Sequence, residues 1–217
     1  MTYSNSYHGI EKIHTAEILL IIATLIEGFS IGFYEAIIDK TDSTPIWIIL
    51  SIFIIASVVL TVVSKILNLR GLKIASADSK LFMPAFYLSF GIIAIEVFLL
   101  IVYIVEPNIE ANKTINSVFV EVEEIEEIVE FIQMIIVMVV VKKLAQKLNG
   151  TTLIKFINII KTLIIIIIAI SLLAGVFSMI NEDLSAIMKT IAIVLELASF
   201  VLYLIFVDKT VKFLKDN

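Results

Sequence analysis

Cysteine is absent from the 217 residues. That excludes a disulfide framework, a thiolate nucleophile and any cysteine metal site. Histidine occurs only as His8 and His14, both ahead of the first apolar run, so no histidine-based centre is available deeper in the chain. Arginine occurs once, at Arg70, against fifteen lysines. Together with abundant isoleucine, that bias suggests an A+T-rich, bacterial genome. Charged residues are only 17% of the chain, the net charge is −5, and no basic patch stands out. Nucleic acid is therefore excluded as a partner. No Walker loop, dinucleotide fingerprint or zinc signature occurs, so neither cofactor nor metal is expected and the chain is read as a non-enzyme.

The chain is rich in apolar residues. They make up 60%, with a mean hydropathy of +1.07, where a soluble domain is nearer 45–50% apolar. They come in runs of about twenty, which matches a hydrocarbon core about 30 Å thick at 1.5 Å rise per helical residue. Barrel strands would instead alternate polar and apolar residues. The pattern predicts an all-α polytopic membrane protein. Six transmembrane helices are expected, at 16–38, 45–67, 81–105, 122–141, 153–180 and 184–207, paired as three helical hairpins in one domain over 16–207. The polar segment 1–15 has Lys12 as its only basic residue and no cleavage site follows, so it is not a secretory signal. Pro45 and Pro84 suit first helical turns, Pro107 ends the third span, and Gly150 reads as a helix stop after the fourth.

The basic residues sort by loop. Lys65, Arg70, Lys73 and Lys80 are assigned to the second loop, Lys142, Lys143, Lys147 and Lys155 to the fourth, and Lys209, Lys212 and Lys215 to the tail 208–217. The opposite side has only Lys40, Lys113 and Lys189. The positive-inside rule puts both termini in the cytoplasm of a cell whose plasma membrane holds the protein. A weak internal repeat accompanies this layout. Segments 62–71 and 140–150 both read as apolar helix, lysine, amphipathic turn and glycine.

Four glutamates, Glu27, Glu96, Glu130 and Glu196, fall near the middle of four different spans. A charge at that depth is costly, so such residues face a protein interior or a water-filled path. No lysine or arginine is expected at the same depth. The fourth span is unusual. Its purely apolar stretch, 131–141, is only about 16 Å of helix, too short to cross. It must extend outward through an acidic segment. There, Val118, Val122, Ile125, Val129 and Ile132 share one helical face. Glu123, Glu127 and Glu130 lie on the opposite face, flanked by Glu126 and Glu124. That helix either protrudes into water or lines a cavity. Glu123, Glu126 and Glu127 are read as an outer acidic vestibule. Chelation of a hard cation by their i, i+3 pairs is the third reading.

Gly28-Phe29-Ser30-Ile31-Gly32 matches the G-x-S-x-G nucleophile pattern, but no base lies at that depth. The same residues form a Gly28-x-x-x-Gly32 helix-packing motif. The doubled glutamates lack the arginine used by Glu-Glu intramembrane proteases. The expected function is a proton- or cation-handling transporter or channel. Glu27, Glu96, Glu130 and Glu196 would serve as relay or binding groups. The alternative is a non-catalytic membrane subunit that packs with a homo-oligomer mate or a partner membrane protein through faces such as Gly28/Gly32 and Gly91/Ala94. In either case the lipid bilayer is the surrounding partner.

Overall fold

The computed structural model describes residues 3–37, 44–105, 113–178 and 182–217. They form α1 (Ser4–Ile37), α2 (Thr44–Ala75), a 3-10 turn (Lys80–Phe82), α3 (Met83–Val105), α4 (Lys113–Lys147), α5 (Thr151–Ser178) and α6 (Glu182–Asp216). Among the described residues there is no strand. Four stretches are long and apolar enough to cross a membrane: Ser4–Tyr34, Ile46–Ala75, Lys80–Val102 and Thr151–Ile170. The all-helical expectation therefore holds, with four candidate spans among the described residues. The helices also outrun the expected spans. α1 begins in the polar N-terminal segment and α6 continues through the C-terminal lysines.

Each helix packs on the next, and α6 packs back on α1, so the six close into a ring. α1 and α2 make the most extensive pair. Their contacts run in opposite directions: Asn5 with Asp78, Ala16 with Ser64, and Glu27 with Ser57. The two helices are thus antiparallel. A spacing of seven sets their seam. Gly9, Ala16, Ala23 and Ser30 are buried on α1, and Ser57, Ser64 and Gly71 are buried on α2. Small residues every seven positions let two backbones approach along a gentle supercoil. At Gly9 a Cβ would lie 2.5 Å from the Gly71 carbonyl oxygen and 2.7 Å from the Ala75 Cβ. Nothing larger than glycine fits there.

The close packing expected at Gly28 and Gly32 is found instead at Gly9 and Gly71. Among the described residues a Cβ at Gly28 or Gly32 would meet no atom within 4 Å, and both glycines are exposed. They sit on the α1 face turned away from the seam, because 28 and 32 are out of phase with the buried series 9, 16, 23, 30. Gly91 likewise has open space around it.

The end of α4 modifies another expectation. Asn149 takes the left-handed conformation (φ 56°), and the Gly150 N–H donates to the Ala145 carbonyl at 2.8 Å. That is a helix-terminating cap with asparagine at the turning position. Gly150 serves a different need, since a Cβ there would lie 2.6 Å from the Phe213 ring. Gly71, its counterpart in the apparent repeat, lies within α2, before the helix ends at Ala75. The two segments therefore differ where the repeat pairs their glycines.

The outer surface is apolar. Large exposed apolar side chains run from Ile18 to Tyr34 on α1, Ile48 to Ile66 on α2, and Tyr87 to Val105 on α3. They continue from Ile125 to Val139 on α4, Ile159 to Leu173 on α5, and Ile187 to Ile205 on α6. Each band covers roughly 21–27 Å of helix. The buried apolar core lies towards the end that bears both termini, around Ile13, Leu72, Phe82, Met138, Ile160 and Phe206. At that end Asp78 accepts from the Ser6 N–H at 2.6 Å and from Asn5 Nδ2 at 2.8 Å. A carboxylate thus caps the first turn of α1 and opposes its dipole.

Candidate functional site

The ring encloses a polar centre built around Lys65. The expected second loop does not contain this lysine. α2 runs unbroken to Ala75, so Lys65 is held on a helix and turned inward, where its side chain is only 16% exposed. Its ammonium pairs with Glu96 of α3, lies 3.4 Å from Glu130 of α4 and 3.7 Å from Glu126 of α4. Glu96 and Glu126 thus approach the same ammonium from two different helices. A cation therefore does sit at the depth of the membrane glutamates, contrary to the reading of the sequence.

The seam positions this centre. Ser64 Oγ donates to the Ala16 carbonyl across α1 and α2 at 2.8 Å. The next residue on each helix, Lys65 and Glu17, is thereby set at the same level. Glu17 is buried, with 5% exposure. It was not among the expected site residues because it lies at the start of its apolar run. The signal that could have found it is its place beside Ala16 in the seven-residue series.

Glu17 opens onto a cavity of about 50 Å³ at the centre of the ring. Its walls come from five helices and include Glu17, Ser64, Lys65, Asn68, Ser89, Glu130, Gln133 and Tyr203. Gln133 Nε2 donates to Asn68 Oδ1 at 3.5 Å, tying α4 to α2 below the lysine. A second, larger cavity of about 480 Å³ lies between α2 and α3. Glu27, Ser57, Thr61, Lys65 and Glu96 contribute its polar groups, and Val58, Val62, Val97 and Leu100 its apolar walls. Those four apolar residues are half-exposed or more on the outer surface.

Of the expected relay groups, Glu96 and Glu130 meet at Lys65. Glu27 is apart from that cluster, accepting from Ser57 Oγ at 3.5 Å, and shares only the larger cavity with Glu96 and Lys65. Glu126, expected in an outer vestibule, belongs to the lysine cluster. The side chains of Glu123, Glu127 and Glu196 lie outside the described residues. On α4, Ile125 and Ile132 are exposed while Glu126 and Glu130 turn inward. The helix thus presents its apolar face outward and its acidic face to the ring. Among the described residues no three His, Asp or Glu side chains are arranged to hold a metal ion.

No protein-family model matches the chain, and no curated protein or solved structure matches it either.

Proposed function

We propose that the protein handles protons or cations in the membrane, as a small transporter or channel-like protein working through the Lys65 centre. One observation carries this reading. A single ammonium faces Glu96, Glu126 and Glu130, with Glu17 buried beside it. Four carboxylates and one ammonium leave a formal charge of −3. Such an excess is too costly where water is scarce. The centre therefore holds protons or counter-cations, and exchanging them is the elementary step of coupled transport. Glu96 and Glu126 face one ammonium between them, an arrangement in which carboxylates crowded together favour holding a proton. Glu27 and Glu96 both contribute to the larger cavity, whose remaining walls are mainly apolar.

In this reading all six helices cross the plasma membrane as three hairpins, with both termini cytoplasmic. The lysine asymmetry of the connections supports that orientation. The direct test is flux in proteoliposomes. Glu130→Gln keeps the shape and removes the titratable charge, and is expected to abolish proton or cation movement without unfolding the protein. Unchanged flux in Glu130→Gln and in Glu96→Gln would rule this reading out.

A second reading, a non-catalytic membrane subunit, draws on the outward face of α1. Among the described residues nothing lies within 4 Å of a Cβ placed at Gly28 or Gly32. Phe29 and Phe33 stack beside them with centroids 5.9 Å apart. A close helix of another chain would fit such a face. Loss of a co-purifying subunit or of self-association in Gly28→Leu, with flux absent from the wild type, is the outcome that favours it.

A further inference from the structure

The 50 Å³ cavity is lined by one hydroxyl that has no hydrogen-bond partner among the described residues and by one buried carboxylate. Ser89 is 6% exposed, and its hydroxyl is buried without a hydrogen-bond partner. Several helical hydroxyls, those of Thr24, Ser30, Ser51, Thr162 and Thr210, donate to the carbonyl four residues back. Ser89 does not, although its own helix offers the same acceptor. Glu17 is the second. Among the described residues its carboxylate receives no hydrogen bond, and it is 95% removed from solvent, the complement of its 5% exposure. A buried carboxylate without a donor is expensive to keep. Two independent side chains, on α1 and α3, thus line one small cavity.

The chemistry of the lining narrows the ligand. Glu17, Glu130 and Lys65 line the wall; Lys65 is engaged by Glu96, Glu126 and Glu130, so Glu17 is the lining carboxylate that has no ion pair among the described residues. The other donors are oxygens of Ser64, Ser89, Asn68, Gln133 and Tyr203. Hard oxygen ligands without histidine or cysteine suit a hard cation. One unpaired carboxylate matches a monovalent ion better than a divalent one. The space has room for roughly two to four water-sized bodies, enough for an ion with a water or two and too little for an organic cation.

We propose that this cavity is a binding site for one monovalent alkali cation, with Glu17 as its anionic ligand and Ser89 among its neutral ones. The site deepens the cation-handling reading above and rests on it for its role, though not for its existence. It also gives Ser64 a second task. While donating to Ala16, its oxygen keeps lone pairs free to face the cavity.

The test is thermal unfolding of the purified full chain in detergent. Sodium chloride or potassium chloride is titrated against choline chloride at constant ionic strength. A saturable rise in the unfolding midpoint with one alkali cation, absent with choline alone, is expected. Ser89→Ala should raise the half-saturating concentration about tenfold, the loss of one ligand. Glu17→Gln should remove the response while the variant still unfolds cooperatively. Ser51→Ala, on the outer surface, should respond as the wild type does. A response equal in choline, or one unchanged by both cavity variants, overturns the proposal. Flux in proteoliposomes separates the two ideas. Proton flux with no alkali response removes the cation site and keeps the transport reading. An alkali response that needs Glu17 and Ser89, in a protein without flux, keeps the site and removes transport.

Discussion

Lys65 and Glu130 stand 65 positions apart in the chain, yet the ammonium of one lies 3.4 Å from the carboxylate of the other. They belong to α2 and α4, which are not sequential neighbours in the ring. Their contact crosses its interior and makes a polar centre out of residues that would each be a liability alone. Removing one partner of such a set leaves the others uncompensated, and the loss exceeds what the pair contributes.

Lys65→Met is therefore expected to destabilise the protein by about 3 kcal/mol. Adding Glu96→Gln and Glu130→Gln to it should recover much of that loss, because the uncompensated charges leave together. Unfolding midpoints of the single, double and triple variants in detergent give the comparison. A Lys65→Met protein as stable as the wild type would mean that its ammonium is dispensable to the fold.

The glycines of α1 should behave oppositely. Gly9→Ala drives a methyl against the Gly71 carbonyl and the Ala75 side chain, and should cost about 1–3 kcal/mol as overpacking does. Gly28→Ala meets open space and should gain up to about 1 kcal/mol from helix propensity. Opposite signs in a melting experiment would verify the seam. A loss at Gly28 and none at Gly9 would show that another chain covers the outer face.

At the end bearing the termini, Asp78→Ala removes the carboxylate that caps α1. About 1 kcal/mol of stability should go with it. Faster hydrogen exchange of the Asn5 and Ser6 amides is the local sign, with the amides around Glu27 unaffected. Uniformly faster exchange would instead indicate global destabilisation.

Topology is checked without background, since the chain has no cysteine of its own. Lys73→Cys and Lys147→Cys should label with an impermeant thiol reagent only after the membrane is opened. Asp42→Cys and Glu182→Cys should label in intact cells. Labelling of Lys147→Cys from outside would invert the orientation.

The sequence by itself determined the class of structure. Apolar runs of membrane length demand internally satisfied backbone, and helices supply it from local hydrogen bonds alone. The placements of Pro45 and Pro84 in first helical turns were legible for the same reason, because proline chemistry acts within one turn. Helix phase also marked Glu130 and Ile125 as belonging to opposite faces of α4. What the tertiary structure decided is which faces meet. Lys65 reads as a loop residue because lysine near the end of an apolar run marks an interface. Only the continuation of α2 to Ala75, and the Ser64–Ala16 hydrogen bond that fixes its depth, turn it inward. Gly28 and Gly32 carry a local packing motif, yet the seam follows a seven-residue series in which they have no place. Which of two small-residue stripes is used depends on the partner helix, and Gly71 lies 62 positions from Gly9. The convergence of Glu96, Glu126 and Glu130 on one lysine, with Glu17 lining the same cavity, is non-local in the same sense. Each carboxylate has its direction from its own helix, and closure of the ring gives them a common target.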